Sequence, residues 1–321
     1  MLRLAEINDE NFNEYAIKIY NWQRKHVSIF SNYLNLIDRN HPVSDWTEIT
    51  CLPISFFKTH AILPECTEAE IIFQSSGTGG SRSKHYVAQV TNYQESFRLN
   101  WTNTYGPPAE TCILALLPNY INNGDSSLVY MANDLIESGI EGSGFYLNDF
   151  ENLKSKILFN EANEIPTVLL GVTYALLDFA KAHATPLKNT TIIETGGMKG
   201  KRKELPKNQI HQILKNAFSC HQIHSEYGMT ELLSQAYSKE NGVFHCPPWM
   251  RINVREVSDP FSVSSAGKRG GINVVDLANW ESCSFVETQD IGVTTDHQRF
   301  EILGRLDQAD LRGCNLLVAD A

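Results

Sequence analysis

The chain has 321 residues, of which 42% are hydrophobic and 20% charged, a composition typical of a globular protein with one large or two medium domains. Its net charge of −10 argues against a nucleic-acid-binding surface, which normally needs a basic face. The N-terminal segment becomes polar too soon for a secretory signal, and the apolar stretches are too short to cross a bilayer, so we expect no membrane span.

The cysteines point to a reducing compartment. There are seven of them, scattered and without a C-x-x-C pair. Free thiols of this kind suit the cytosol better than a disulfide framework, so we expect a cytoplasmic protein. Zinc binding is an alternative role for a cysteine and three histidines, Cys246, His221, His224 and His245. Their spacing fits no zinc-finger pattern, which favours ordinary structural roles.

The N-terminal third leads to a glycine-rich stretch. Residues 9–38 carry apolar side chains near helical spacing and predict one long amphipathic helix. A short apolar segment follows at residues 52–58. Residues 71–73 and 85–90, on either side of the glycine-rich stretch, predict two strands. The sequence therefore predicts a hairpin that carries this stretch between its strands.

The glycine-rich stretch, residues 73–84, reads Phe-Gln-Ser-Ser-Gly-Thr-Gly-Gly-Ser-Arg-Ser-Lys. Glycines let main-chain N–H groups converge on an anion, hydroxyls donate to phosphate oxygens, and Lys84 adds a positive charge. Arg82 stands where both the P-loop pattern and the dinucleotide fingerprint need a glycine, so neither pattern fits. The stretch predicts a phosphate-binding loop, with a flexible surface loop as the alternative.

The middle of the chain alternates between apolar runs and helical patterns. The predicted strands cover residues 112–117, 167–170, 190–194 and 222–224. The predicted helices cover residues from Asp125 or Ser126 to 138, 172–182 and 206–218. This alternation predicts an α/β fold with a largely parallel sheet, whose ligands bind at the carboxyl ends of the strands.

After Glu231 the pattern changes to short β segments. They cover residues 234–237, 251–257, 272–276, 284–287 and 300–303. We therefore expect an α/β core for ATP and acyl binding over residues 1–237 and a smaller β-rich subdomain over 238–310. Residues 311–321 would form a short tail.

Four further motifs follow the glycine-rich stretch in a fixed order. They are Gly196-Gly197, Ser225-Glu-Tyr-Gly-Met-Thr-Glu231, Thr288-Gln-Asp-Ile-Gly292, which we expect to close a β segment, and Gly304-Arg-Leu-Asp307. Together they resemble the adenylate-forming ligase superfamily, the acyl- and aryl-CoA synthetases. That superfamily carries S-G-T-T-G-x-x-K, Y-G-x-T-E, T-x-D-x-G and G-R-x-D in this order. Any one motif is weak, whereas the ordered set is specific.

Other segments resemble particular branches of this superfamily. Residues 52–58, 117–120 with 126–131, and the ending Arg312-Gly-Cys314 resemble the acyl-protein synthetase branch, which serves the fatty acid reductase of bioluminescent bacteria. Residues 242–245 and 257–260 are similar to phenylacetate–CoA ligases. The resemblance implies the fold of an adenylate-forming N-terminal domain. It also implies ATP-dependent activation of a carboxylic acid to an acyl-adenylate, with transfer to a protein cysteine or to coenzyme A.

The resemblance also implies roles for individual residues. The phosphates would contact Ser75, Ser76, Gly77, Thr78, Gly79, Gly80 and Lys84. The adenine and its surroundings would contact Gly196, Gly197, Tyr227 and Gly228. Thr230 would contact the α-phosphate, and Glu231 would bind Mg²⁺, a hard cation suited to a carboxylate. Asp290 would accept both ribose hydroxyls, because a carboxylate has several lone-pair sites, and Arg305 would lie near that ribose.

The end of the sequence departs from the superfamily pattern. Members usually continue past G-R-x-D into a C-terminal domain that carries a lysine for adenylation, whereas this sequence ends at Ala321, so we expect that domain to be truncated. Lys199, Lys201 and Arg202 are the conspicuous local cations that would have to compensate.

Cys314 is the candidate acyl acceptor, because acyl-protein synthetases are acylated on a cysteine near the C-terminus. The alternative is a small buried apolar residue without reactivity. For the whole chain, one alternative is a non-catalytic module that binds a nucleotide or an acyl-adenylate. Another is a subunit whose partner protein supplies the missing groups in trans. The resemblance separately implies an acyl-acceptor protein or a reductase as a partner.

Overall fold

The computed structural model describes residues 2–76, 82–118, 124–147, 149–196, 205–257, 259–264 and 266–306. Its contacts divide the chain into two compact units. The first unit combines Met1–Glu68 with Pro248–Ala321, and the second unit is Ala69–Pro247. None of the described helices has the length and apolarity needed for a bilayer crossing.

The first unit begins with two helices, α1 (Phe12–His26) and α2 (Ser28–Leu36), and a short strand, β1 (Leu52–Pro53). The prediction of one long helix over residues 9–38 is therefore wrong. Val27, which is fully buried, has extended backbone angles of φ −104° and ψ 93°. These angles lie outside the helical region, so they redirect the chain between the two helices.

The second unit begins with the predicted hairpin, β2 (Ile71–Gln74) and β3 (Lys84–Val87), which pair antiparallel. Ser75 extends the pairing, because its N–H donates to the carbonyl of Ser83 at 3.0 Å and its hydroxyl accepts from the N–H of Ser83 at 3.0 Å. The predicted strand 85–90 is shorter in the structure. A helix that the sequence analysis missed, α3 (Val90–Tyr105), begins where that strand was expected to end.

The large sheet of the second unit follows. Its strands are β4 (Cys112–Leu116), β5 (Gly144–Phe145), β6 (Thr167–Gly171), β7 (Thr190–Glu194), β8 (His224–Tyr227), β9 (Ala236–Ser238) and β10 (Val243–His245). The accompanying helices are α4 (Ser127–Ser138), α5 (Phe150–Ala162), α6 (Thr173–Ala182) and α7 (Lys207–Phe218).

Within this unit the strands lie in the order β10-β9-β8-β7-β6-β4-β5. The neighbours from β8 to β5 are parallel, whereas β9 and β10 are antiparallel. All residues of β4 and β6 are buried, as expected for strands covered on both faces. The predicted largely parallel sheet is confirmed.

One strand boundary in this sheet differs from the prediction. The strand expected at residues 222–224 is β8, at His224–Tyr227. Ser225, Glu226 and Tyr227 therefore lie inside a buried strand, and the motif that contains them leaves the sheet only at Gly228. The shift arises because buried polar side chains in β8 have partners in neighbouring elements, which a hydrophobicity pattern does not show.

The rest of the first unit is an antiparallel meander. Its strands are β11 (Met250–Arg255), β12 (Gly270–Asp276), β13 (Phe285–Thr294) and β14 (Arg299–Arg305). β1 pairs with β13 in parallel, with Leu52 opposite Val286. The compact units thus group the N-terminal residues with these β segments, a division that differs from the predicted ranges 1–237 and 238–310.

A buried glutamine fastens α1 to the meander. The Gln23 side chain is fully buried, and its Nε2 donates to the carbonyls of Asn279 at 3.1 Å and Trp280 at 2.8 Å. Its Oε1 accepts from the N–H of Ser284 at 3.2 Å. A buried amide is costly only when its groups lack partners, so these bonds let a polar residue hold two distant segments together.

We predict that Gln23→Met lowers the free energy of unfolding by about 1–3 kcal/mol, because the near-isosteric side chain leaves three backbone groups without this partner. Urea unfolding followed by circular dichroism measures the change. Gln212→Met, at an exposed position of α7, is the matched control and should change stability much less. Equal losses for the two variants would contradict the anchoring role of Gln23.

Candidate functional site

The carboxyl ends of β6 and β7 meet at one buried side chain, Glu194, which also contacts the first half of β8. It is the last residue of β7 and is 4% exposed. Its Oε1 accepts from the hydroxyl of Thr173, the first residue of α6, and from the N–H of Gly196 at 2.7 Å. Its Oε2 accepts from the hydroxyl of Ser225 in β8 at 3.5 Å. We call these four residues the Glu194 cluster; of them, the sequence analysis gave a binding role to Gly196 alone and named Ser225 as the start of a motif.

Gly196, one of the predicted adenine-lining residues, lies in a tightly held turn. Its φ of +71° is in the left-handed region, which favours glycine. Its N–H is bonded to Glu194, and its carbonyl accepts from the N–H of Thr173 at 3.3 Å. The N–H of Thr195 donates to the carbonyl of Gly171 at 3.0 Å. The turn after β7 is therefore fixed to the end of β6.

The turn after β8 carries Thr230 and Glu231. The ring of His85, a fully buried residue of β3, donates its Nδ1–H to the carbonyl of Thr230 at 2.8 Å, because a carbonyl can only accept. This bond ties the hairpin that bears the exposed Lys84 to the turn. Glu231 is 6% exposed. The structure thus joins the elements that carry the predicted phosphate and metal ligands.

Tyr227 and Gly228 complete the described part of the site in the second unit. Tyr227 is buried at the end of β8, with its ring centre 5.7 Å from that of Phe244. A Cβ atom at Gly228 would overlap Oε1 of Glu226. Only glycine therefore fits there without displacing a buried carboxyl group.

Asp290 and Arg305 lie in the first unit, opposite each other on β13 and β14. Nε of Arg305 is 3.4 Å from Oδ1 of Asp290. The hydroxyl of Thr288 accepts from the N–H of Asp290 at 3.1 Å and donates to the carbonyl of Ile272 at 2.8 Å. The Thr288–Gly292 motif therefore lies inside a ten-residue strand, rather than closing a β segment as predicted.

Several predicted site residues lie outside the described residues. They are Gly77, Thr78, Gly79, Gly80, Gly197 and Cys314, together with the cations Lys199, Lys201 and Arg202. Across the described ranges, no group of three or more His, Cys, Asp or Glu residues could hold a metal ion. A cation on Glu231 would need other oxygen ligands, and Mg²⁺ commonly takes such ligands from water and substrate phosphates.

Comparison with known proteins gives the family. The model of the acyl-protein synthetase LuxE family matches residues 5–321. The chain belongs to this family. The resemblance predicted from the ordered motifs is confirmed, although no curated protein matches the sequence.

Two solved structures illustrate the fold. ATP-bound MatB from Rhodopseudomonas palustris is 19% identical, with a TM-score of 0.54, over 73% of this chain and 47% of MatB. A 2-hydroxyisobutyryl-CoA ligase in complex with 2-HIB-AMP and CoA is 10% identical, with a TM-score of 0.64, over 94% of this chain and 70% of the ligase. The chain thus spans about half the length of MatB. At these identities the likeness shows the fold, which is the one predicted.

The site of this LuxE-family chain also contains a pair of titratable side chains, the buried Glu226 and the nearby Lys207. The sequence analysis gave neither of them a role. Burial raises the pKa of Glu226 to about 8, and the neighbouring Glu194 adds to the rise while Lys207 opposes it. Glu226 therefore keeps its proton at neutral pH. Lys207, in the first turn of α7, places its Nζ 3.9 Å from Oε2 of Glu194 and 4.3 Å from the ring centre of Phe244.

A neutral histidine lies beside this pair. Burial lowers the pKa of His211 to about 4, and Lys207 contributes to the decrease. Its Nε2 lies 3.2 Å from the hydroxyl oxygen of Ser225. Burial also lowers the pKa of Lys207, against the attraction of Glu194 and Glu226. The first turns of α7 therefore bring a neutral histidine, and a lysine whose pKa burial lowers, to the Glu194 cluster.

We predict that Glu226→Gln stabilises the protein increasingly as the pH rises. Between pH 4.5 and about 8, the unfolded chain releases the Glu226 proton while the folded chain keeps it, so stability falls with pH. The glutamine variant lacks this titration. Its free energy of unfolding relative to the wild type should grow by on the order of a few kcal/mol from pH 5 to pH 8.

Urea unfolding at several pH values measures this difference. The same substitution at Glu137, on the exposed face of α4, controls for the loss of one negative charge. A difference between Glu226→Gln and wild type that stays constant with pH would show that Glu226 does not hold its proton in the folded protein.

Proposed function

We propose that the chain activates a carboxylic acid with MgATP to an acyl-adenylate and transfers the acyl group to a thiol. The observation that carries the proposal is the acyl-protein synthetase family match over residues 5–321. The fold supports it, because one structural neighbour is bound to ATP and another to 2-HIB-AMP and CoA. In the first step a carboxylate oxygen bonds to the α-phosphorus and pyrophosphate leaves. In the second step a thiolate attacks the acyl carbon and AMP leaves.

The second unit would bind the phosphates and the base. Its proposed phosphate ligands are Ser75, Ser76, Gly77, Thr78, Gly79, Gly80 and Lys84. Thr230 would contact the α-phosphate, and the carboxylate of Glu231 would bind Mg²⁺. Burial of Glu231 and the bond from His85 to Thr230 support these roles, because they hold both residues in place. Gly196, Gly197, Tyr227 and Gly228 would line the adenine.

The first unit would bind the ribose. Asp290 would accept both ribose hydroxyls, and Arg305 would lie beside them. Support comes from the position of Asp290 within β13, where the bond from its N–H to Thr288 fixes its backbone. Positioning and charge would then supply the rate enhancement of the adenylation step, without covalent catalysis. ATP would bring the leaving group, and Mg²⁺ would offset part of the negative charge of the phosphates and the carboxylate.

The thiol acceptor has three proposed forms: Cys314, coenzyme A, and a cysteine of an acceptor protein or reductase. The six described cysteines are all free, which agrees with a reducing compartment, and we propose the cytoplasm. A binding module without catalysis, and a subunit completed by a partner in trans, are the outcomes against which the experiments discriminate.

We predict acid-dependent exchange of labelled pyrophosphate into ATP, assayed with a panel of aliphatic and aromatic acids. Asp290→Ala should weaken ATP binding by about 1.5–3 kcal/mol, because it removes a charged hydrogen-bond acceptor, whereas Glu231→Gln should mainly lower turnover and raise the Mg²⁺ requirement. Asp259→Ala removes an exposed carboxylate of the same unit as Asp290 and is the control. ATP binding without exchange for any acid would favour the binding module.

We predict that ATP and a suitable acid produce a hydroxylamine-labile acyl adduct on Cys314. Intact-protein mass spectrometry detects the added acyl mass. Cys314→Ser should abolish the adduct and spare pyrophosphate exchange, whereas Cys66→Ser, at an exposed free cysteine, should change neither. An exchange-competent protein that never gains acyl mass would point to coenzyme A or another protein as the acceptor.

A further inference from the structure

The two ends of β7 are each bound by a glutamate. At its start, Glu161 of α5 accepts from the N–H of Lys188 at 2.8 Å, the N–H of Asn189 at 3.1 Å and the hydroxyl of Thr190 at 2.7 Å. At its end, Glu194 accepts from a threonine hydroxyl and a backbone N–H in the same way. The two carboxylates therefore make similar bonds at opposite edges of the sheet.

Only one of these edges is where open α/β sheets bind ligands. In such sheets the ligand lies outside the carboxyl ends of the strands, which is the edge of Glu194. The amino edge, where Glu161 lies, has no such role. The two glutamates therefore make similar hydrogen bonds, but only Glu194 lies where a ligand would bind. Glu161 serves as the comparison, because its role is structural alone.

Glu194 fixes a turn that leaves room beside its glycine, as far as the described residues go. Gly196 is held through its N–H by Glu194 and through its carbonyl by Thr173. Apart from its neighbours in the chain, no described atom lies within 4 Å of the position that a Cβ at Gly196 would take. The described residues therefore leave one side of this turn open, next to a carboxylate that is 4% exposed.

A buried carboxylate such as that of Glu194 is energetically unfavourable at the end of a strand. Removing a carboxylate from water is unfavourable unless hydrogen bonds and an opposite charge compensate. Here Thr173, Gly196 and Ser225 donate, and the ammonium of Lys207 lies 3.9 Å away. Such a network has one defined geometry, which suits an element that must keep the shape of a binding surface.

We propose that Glu194 is a positioning residue for the nucleotide, whose carboxylate holds the Gly196 turn in the shape that receives the adenine base. This inference rests on the proposed function, which assigns that turn to the adenine. Glu194 acts through Gly196 and does not touch the reacting atoms. The bonds from Thr173 and Gly196 both go to Oε1, so a glutamine could keep them through its amide oxygen. A methionine of similar size has no oxygen acceptor, and the turn would then lose both ties.

The experiment compares Glu194→Met with Glu161→Met. Urea unfolding gives the stability of each variant, calorimetry gives the Kd for AMP, and pyrophosphate exchange gives KM for ATP and kcat. We expect both variants to lose stability, whereas Glu194→Met alone raises the Kd for AMP and the KM for ATP by about tenfold or more, the ratio that one lost charged hydrogen bond produces. The kcat at saturating ATP should change little.

Thr173→Val is a second variant that keeps the shape of the side chain and removes only the hydroxyl donor. It should raise the Kd for AMP in the same direction, by a smaller factor. If Glu194→Met does not fold, this variant alone decides the question. Nucleotide affinities equal to that of Glu161→Met would overturn the proposal.

The experiment distinguishes a failure of the positioning role of Glu194 from a failure of the proposed function. A wild-type protein that binds neither ATP nor AMP would refute the proposed function and, with it, the role of Glu194. A wild-type protein that binds and exchanges normally, with no selective effect of Glu194→Met or Thr173→Val, would refute the positioning role and leave the proposed function standing.

Discussion

A buried carboxylate at the end of β7 ties together the strand ends of the second unit. Glu194 binds the residues that follow β6 and β7, and a serine within β8. Parallel strands end at the same edge, but the loops that leave them diverge unless something joins them. The Glu194 cluster supplies that connection, and the proposed adenine contacts at Gly196, Tyr227 and Gly228 all lie at or beside the strand ends that it joins.

This arrangement places two buried carboxyl groups, those of Glu194 and Glu226, close together. Glu226 keeps its proton at neutral pH because burial raises its pKa to about 8. Glu194 instead receives hydrogen-bond donors and the nearby ammonium of Lys207. Holding one member of such a pair neutral limits the repulsion that two buried charges would create. The carboxyl of Glu226 also explains why residue 228 is a glycine.

The sequence allowed the hairpin, the parallel sheet and the family to be predicted, because their signals are local. Apolar runs such as Cys112–Leu116 indicate buried strands, and the ordered glycine and carboxylate motifs indicate the family. The break at Val27 was missed because no proline or glycine marks it. The Glu194 cluster was missed because Thr173 and Glu194 are 21 residues apart, and only the folded sheet brings them together.

Amide hydrogen exchange with and without MgATP tests the central claim, that the nucleotide binds at the strand ends joined by Glu194. Our account predicts added protection in peptides that contain Glu194–Gly196 and Tyr227–Glu231, and little change at the opposite end of the same strands, near Thr167 and Thr190. Saturating ATP that leaves the first two peptides unprotected, or protects only the opposite edge, would contradict it.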